Sequence, residues 1–261
     1  LYKKGQSPAR IGVVLKLHEA LGITPGDVVA FVGAGGKSGA ILTVSNGLQQ
    51  AGMKVLVAPT TKMMLGEADE IGPLVTSEDA DELREKAEKS LSESPTVVAG
   101  SGMLSKNRVG GVDPGWIGDL APLVDVVLVE ADGSRRRPIK GTADHEPALP
   151  DAATLVVAVA NVTALGTPVD EEHVHRPEVF SDLTGVGPGQ SITPGAFATA
   201  LASGSLARVQ PTARTAALIT GVEPGRSMSD ASVITRELWR RGVKTVVLAS
   251  LPDTTPRVWV P

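Results

Sequence analysis

Asp27-Val28-Val29-Ala30-Phe31-Val32, followed at once by Gly33-Ala34-Gly35-Gly36-Lys37-Ser38, is the stretch that decides the fold. Its first half is short and almost wholly apolar, as a parallel strand buried on both faces must be. Its second half is glycine-rich. Beyond it Ile41, Val44, Ser45 and Leu48 recur at helical spacing until Gly52 closes the pattern. Strand, glycine loop, Lys-Ser, helix is the order a phosphate-binding loop requires. Glycines let backbone N–H groups turn toward an anion, and the helix N-terminus adds partial positive charge. On this reading Gly33, Ala34, Gly35, Gly36, Lys37, Ser38 and Gly39 bind a nucleotide. Lys37 reaches the outer phosphates and the Ser38 hydroxyl sits on Mg²⁺. The spacing departs from the full Walker pattern, because Phe31 stands where its first glycine belongs. The competing reading is a strand-to-helix turn with no ligand.

Outward from this stretch, residues 9–21 carry Ile11, Val14, Leu15, Leu17 and Leu21 and predict a short amphipathic helix, with His18 on its surface. Residues 54–58, 96–100, 124–130, 154–160, 215–220 and 243–249 read as further strands. Helices are expected at 79–93, 116–123 and 229–241, and a hairpin or loop at 102–111. Residues 161–213 look like an irregular insertion, with helical stretches at 177–184 and 194–202. Leu1-Tyr2-Lys3-Lys4 is left out of the fold. Alternating strands and helices predict one α/β domain over residues 1–261. It is doubly wound, with a mostly parallel sheet of about seven strands, helices on both faces and ligands at the carboxyl ends.

Composition narrows the functions. A formal net charge of −4 and a pI near 5.6 argue against non-specific nucleic-acid binding. The absence of cysteine removes disulfides, zinc–thiolate sites and thiol nucleophiles together. The apolar runs fall far short of the roughly 20 residues that cross a bilayer, and no secretory segment opens the chain, so the expected location is cytoplasmic, away from membranes. Aromatic residues make up only 3%, which leaves the core to Val, Leu, Ile and Ala.

A phosphate loop needs an acid on a neighbouring strand. Glu130 and Asp132 end the most apolar strand, and their spacing of two puts both on one side if the chain stays extended. Lys37, Glu130 and Asp132 are therefore the candidate catalytic residues, with Ser38, Asp132 and Thr61 as candidate metal ligands. The plain alternative is a strand-ending acid before an Asp-Gly turn. Thr60, Thr61 and Lys62 leave the second strand at the same edge of the sheet, either as a switch-like loop or as a simple turn. Arg135-Arg136-Arg137 and Lys140 form a cationic run. Arg135 and Arg137, with His145 and Glu146 behind them, are expected to hold a second anionic ligand or a partner, against the alternative of a solvated loop. His173-Val174-His175 offers two imidazoles to a metal, set against an ordinary loop. No Ser-His-Asp arrangement is legible, and Gly187-Pro188-Gly189 lacks the strand a nucleophile elbow needs.

Four segments together resemble the YqeC family. They are Val32 to Ser38, Thr60-Thr61-Lys62-Met63, Val129 to Arg135 running on to Pro138 and His145-Glu146-Pro147, and His175-Arg176-Pro177-Glu178. Members of that family are described as selenium-dependent hydroxylase accessory proteins. The resemblance implies a P-loop NTPase-like fold and Mg²⁺-dependent binding of ATP or GTP. It also implies a supporting role in maturing a selenium-dependent molybdenum hydroxylase, with the hydroxylase or its cofactor as partner. A non-hydrolysing nucleotide- or cofactor-binding module and a small-molecule kinase are the alternatives. The chain departs from the family pattern at Gly39, where a second Thr is expected, and at Arg136, where Gly is expected. Asn161 to Gly166 keeps the Leu-Gly without the expected acid. Thr220-Gly221-Val222-Glu223 carries no guanine-reading motif, so the base stays open.

Overall fold

The computed structural model describes residues 15–251 and 257–259. After a single helical turn, α1 (Leu17–Ala20), the apolar run forms β1 (Val28–Gly33), every residue of it buried. The glycine loop then feeds α2 (Lys37–Gln50). In chain order follow β2 (Val55–Val57), β3 (Met63–Met64), α3 (Leu65–Ile71), β4 (Leu74–Thr76), α4 (Ala80–Leu91), β5 (Thr96–Gly100) and the hairpin β6 (Gly102–Ser105) and β7 (Arg108–Gly110). Next come α5 (Ile117–Leu120), β8 (Val126–Glu130), β9 (Ile139–Lys140), β10 (Leu155–Asn161), β11 (Val174–His175), α6 (Pro177–Thr184) and α7 (Pro194–Thr199). The chain closes with β12 (Arg214–Thr220), α8 (Arg226–Arg240), β13 (Thr245–Ser250) and β14 (Arg257–Trp259).

The main sheet has nine strands in the order β14-β13-β12-β10-β1-β8-β2-β5-β4, parallel throughout except for β14. The chain passes from β1 over β8 to β2, and returns later to place β8 on one side of β1 and β10 on the other. Such a reversal of order opens a crevice beyond the carboxyl ends of the strands. Register brings Phe31 level with Glu130 and Gly33 level with Val159, so the glycine loop emerges between the ends of β8 and β10. Strand alternation divides the core in two. Val28, Ala30 and Val32 pack with Leu83, Ala87, Ile117, Ile234 and Leu238 from α4, α5 and α8. Val29 and Phe31 face the other way, onto Leu17, Ile41, Val44, Leu48 and Ile71 from α1, α2 and α3. Both faces are covered, and the sheet is doubly wound.

Two expectations change. The sheet has nine strands instead of about seven; β4 and β14 are the additions, each only three residues long, too short for an alternating pattern to show. His18 is buried, because the one-turn α1 lies against α2 where Gly47 leaves room for the imidazole; a Cβ there would come within 2.6 Å of the ring. Residues 9–14 of the expected first helix lie outside the described residues. Within residues 161–213 the helical stretches expected at 177–184 and 194–202 are present as α6 and α7, the latter running into a π-helical turn at Ala200–Ser205, and β11 is added. No helix among the described residues is long and apolar enough to cross a membrane.

At the amino ends of the central strands, opposite the crevice, Asp27 ties three elements together. It accepts hydrogen bonds from Arg214 (2.7 Å to each oxygen), Thr154 Oγ1 (2.7 Å) and the Thr24 N–H (2.8 Å). Burial alone would raise its pKa, but the Arg214 and Thr154 bonds outweigh it and hold the carboxyl below its usual range. A depressed folded-state pKa means that this contribution is present above the unfolded carboxylate value and lost as pH falls through the folded one. Asp27→Ala should therefore cost about 2 kcal/mol at neutral pH in denaturant unfolding, with the gap from wild type closing in acid.

A cationic cleft beside the glycine loop

The glycine loop divides its backbone donors between the fold and the crevice. The Gly33 N–H donates to Asp132 Oδ2 (2.8 Å), Ala34 to the Val159 carbonyl (2.8 Å) and Gly35 to the Arg137 carbonyl (2.9 Å). Gly35 has φ +70°, and a Cβ on it would lie 2.4 Å from the Asn161 nitrogen and 2.5 Å from the Pro138 oxygen, so only glycine fits. Its carbonyl accepts the Thr220 hydroxyl. The next four N–H groups, of Gly36, Lys37, Ser38 and Gly39, find no acceptor among the described residues. They are the first turn of a 14-residue helix that no side chain caps.

Below them lies a buried chain of charges. Lys37 folds back so that Nζ donates to the Gly33 carbonyl (2.8 Å) and stands 3.1 Å from Asp132 Oδ1 and 3.8 Å from Glu130. Asp132 is fully buried, and its Oδ1 has the ion pair but no aligned hydrogen bond. Its other oxygen accepts from Lys140 Nζ at 3.0 Å. Lys140, on β9 and also buried, donates further to the Gly133 carbonyl (2.8 Å) and Glu146 (2.6 Å). Glu146 in turn receives both guanidinium nitrogens of Arg176, at 2.5 and 3.0 Å. Burial would raise the Glu146 pKa, yet the bonds from Arg176 and Lys140 hold it at about 2. Burial lowers the His175 imidazole, and with the Arg176 and Lys140 charges beside it the value falls to about 4, so the ring is neutral at pH 7.

Glu130 is different. Burial pushes its carboxyl to about 7, with Glu67 and Asp132 adding to the rise while Lys37 and Ser38 oppose it. Its Oε2 lies 3.4 Å from Ser38 Oγ. Two hard oxygens that close together fit one Mg²⁺, which keeps several water or phosphate oxygens as further ligands. His173 pairs with Asp170 (2.7 Å) in its own turn, and among the described residues no group of three or more His, Asp or Glu gathers to hold a metal.

These groups open onto a cleft of about 1150 Å³. Of the residues singled out from sequence, Gly35, Gly36, Lys37, Ser38, Gly39, Thr61, Glu130, Arg135, His145 and Glu146 line it together. Gly33, Ala34 and Asp132 lie beneath its floor, and Arg137 contributes a carbonyl to the loop and stands outside the lining. Lys62, from the switch-like loop, and Arg136, from the cationic run, line the cleft too, as do Arg108, Arg176, Asn161 and Thr220, which were not assigned to the site. Lys140 is likewise absent from the expected set, although Arg176 stands in the His-Arg-Pro-Glu segment and Lys140 in the cationic run. Six cations face the cleft against three carboxylates, in a chain whose net charge is −4. That local excess suits an anion.

Two predictions come from these charges. Lys140→Met should destabilise the protein by about 3–5 kcal/mol in denaturant unfolding, because it strands Asp132 and Glu146; a loss below about 1 kcal/mol would show that the buried chain is not holding the loop. Glu130 has the opposite sign to Asp27. A raised folded-state pKa gives stability that is complete below the unfolded carboxylate value and lost as pH rises through about 7. Glu130→Gln should therefore raise the melting temperature above neutral pH and change it little in acid.

A family model described as YqeC protein matches residues 29–178, from β1 to the start of α6. The uncharacterized protein YqeC of Escherichia coli (strain K12) is 35% identical over 167 residues. That alignment covers 63% of this chain and 63% of the relative, so the chain spans less than two thirds of the curated protein it matches. The family match takes in the glycine loop, Glu130, Asp132, Lys140, Glu146 and Arg176, hence every member of the buried charge chain. With more than half of its length inside the match, this chain belongs to the YqeC family.

Proposed function

We propose that this protein binds a nucleoside triphosphate with Mg²⁺ and cleaves or transfers its outer phosphate. The observation that carries the reading is the first turn of α2: four unpartnered N–H groups beside a buried ammonium, at the crevice where the strand order reverses. A phosphate there would take the N–H groups of Gly36 to Gly39 and draw Lys37 away from the Gly33 carbonyl. Ser38 and Glu130 would hold Mg²⁺, which supplies charge neutralisation on the phosphates when bound. Asp132 then positions Lys37 from below and is no ligand itself. Glu130, at the end of β8 beside Ser38, would in this role also orient the attacking water or acceptor.

The wider role rests on the family resemblance. We infer an accessory task in the cytoplasm, in the maturation of a selenium-dependent molybdenum hydroxylase, with the enzyme or its cofactor as partner. ATP and GTP remain equal candidates, as β12 ends in Thr220-Gly221-Val222-Glu223. In thermal melts, the right nucleotide with Mg²⁺ at about a hundred times its Kd should add about 2.7 kcal/mol. Lys37→Ala should abolish the shift and also lower the melting temperature of the apo protein, because the buried Asp132 then keeps Lys140 as its one cation among the described residues. No shift with either nucleotide, with or without Mg²⁺, would end the phosphate-loop reading.

A further inference from the structure

One side of the cleft carries more positive charge than a nucleotide at α2 would use. β3 pairs antiparallel with β7, Met63 opposite Val109 and Met64 opposite Arg108. Met63 and Val109 are buried, whereas Arg108 is exposed, and Met63, Met64 and Arg108 all line the cleft. Lys62 precedes β3 directly and lines the cleft as well. Gly111, just past β7, fixes this corner: a Cβ there would lie 2.5 Å from the Thr60 carbonyl carbon and 2.6 Å from the Thr61 nitrogen. From the opposite wall come Arg135 and Arg136. Both have left-handed backbones, φ 48° and 60°, in a turn closed by the Arg137 N–H on the Ser134 carbonyl (2.9 Å). Left-handed backbone in two successive non-glycine residues costs about 1–2 kcal/mol each. No side-chain contact of the two arginines offsets it: Arg135 makes no side-chain hydrogen bond or ion pair with a described residue, and Arg136 only stands 3.9 Å from Glu67. Strain of that kind collects where a ligand uses it.

Lys62 and Arg108 are also without an acidic partner among the described residues. Of these four cations, from three separate segments lining one cleft, only Arg136 stands near a carboxylate, Glu67 at 3.9 Å. The volume of the cleft exceeds the 300–1,000 Å³ usual for one small ligand. We propose that Lys62, Arg108, Arg135 and Arg136 form a second subsite, which holds the anionic group of a second small substrate beside the nucleotide. The group is a phosphoryl or a carboxylate, and the position next to Glu130 is where an acceptor of the transferred phosphate would stand. This rests on the nucleotide reading for its chemistry, but not for its geometry.

Calorimetric titration at low ionic strength tests it, with sulfate standing in for a phosphoryl group and malonate for a carboxylate. Each probe is titrated into the apo protein and into protein saturated with Mg²⁺ and a non-hydrolysable triphosphate. One of them should bind with the triphosphate in place, and Lys62→Gln/Arg108→Gln should weaken it at least tenfold while leaving triphosphate affinity unchanged. The tighter probe names the class. Failure of both probes to bind, or binding unaffected by the double variant, would overturn the subsite. Should the triphosphate itself fail to bind, the nucleotide reading falls separately. The apo titration then decides the subsite, because binding there must depend on Lys62 and Arg108 and survive Lys37→Ala.

Discussion

Asp132 carries a charge with no solvent beside it, and the arrangement of the site follows from what neutralises that charge. A buried carboxylate persists only when cations and hydrogen-bond donors surround it closely. Here Lys37 comes from the helix after β1, Lys140 from β9, and the Gly33 N–H from the end of β1. Each partner belongs to a different segment, so satisfying one carboxylate fixes the glycine loop against the polar stretch that follows β8. Glu146 and Arg176 extend the same requirement to the N-terminus of α6. Deleting any member would leave another uncompensated, so the chain of charges constrains shape more than it adds net stability. It also pairs the Lys37 ammonium within the protein while the residue lines the crevice.

What could be read from the sequence was set by the length of each local pattern. The central strands were legible because each holds an unbroken run of four or more apolar residues, and the glycine loop because its strand and helix lie immediately on either side. Glu130, Lys37 and Ser38 followed from position at a strand end or helix start. Lys140 and Arg176 did not, since their partners Asp132 and Glu146 are separated from them by turns whose path no periodicity describes. Arg137 and Arg135 were alike as letters; only the turn at Ser134 separates a carbonyl that accepts from the Gly35 N–H from a side chain facing the cleft. Burial was equally hidden. An Asp before Gly reads as a surface turn, and nothing local marks Asp132 as fully enclosed.

Arg136 shows how a departure from pattern acquires a physical meaning. Glycine is expected there on the family resemblance, and the backbone at φ 60° is the conformation glycine adopts at little cost. An arginine in its place strains the turn and adds a cation to the cleft wall. The opposite compromise holds at Glu130, whose burial stores unfavourable free energy in the ionised state at neutral pH. Both features lower stability at the crevice and neither touches the core, a distribution common where binding and chemistry are placed.

The sheet also has a boundary to defend. β4 ends it, with a row of backbone groups on its outer side that no other strand covers. Only Leu74–Thr76 are extended there, and Pro73 before them has no N–H to offer. An incoming strand from a second chain would find a template three residues long, interrupted at one end by proline and turning into α4 at the other. Assembly by sheet extension is disfavoured on this side.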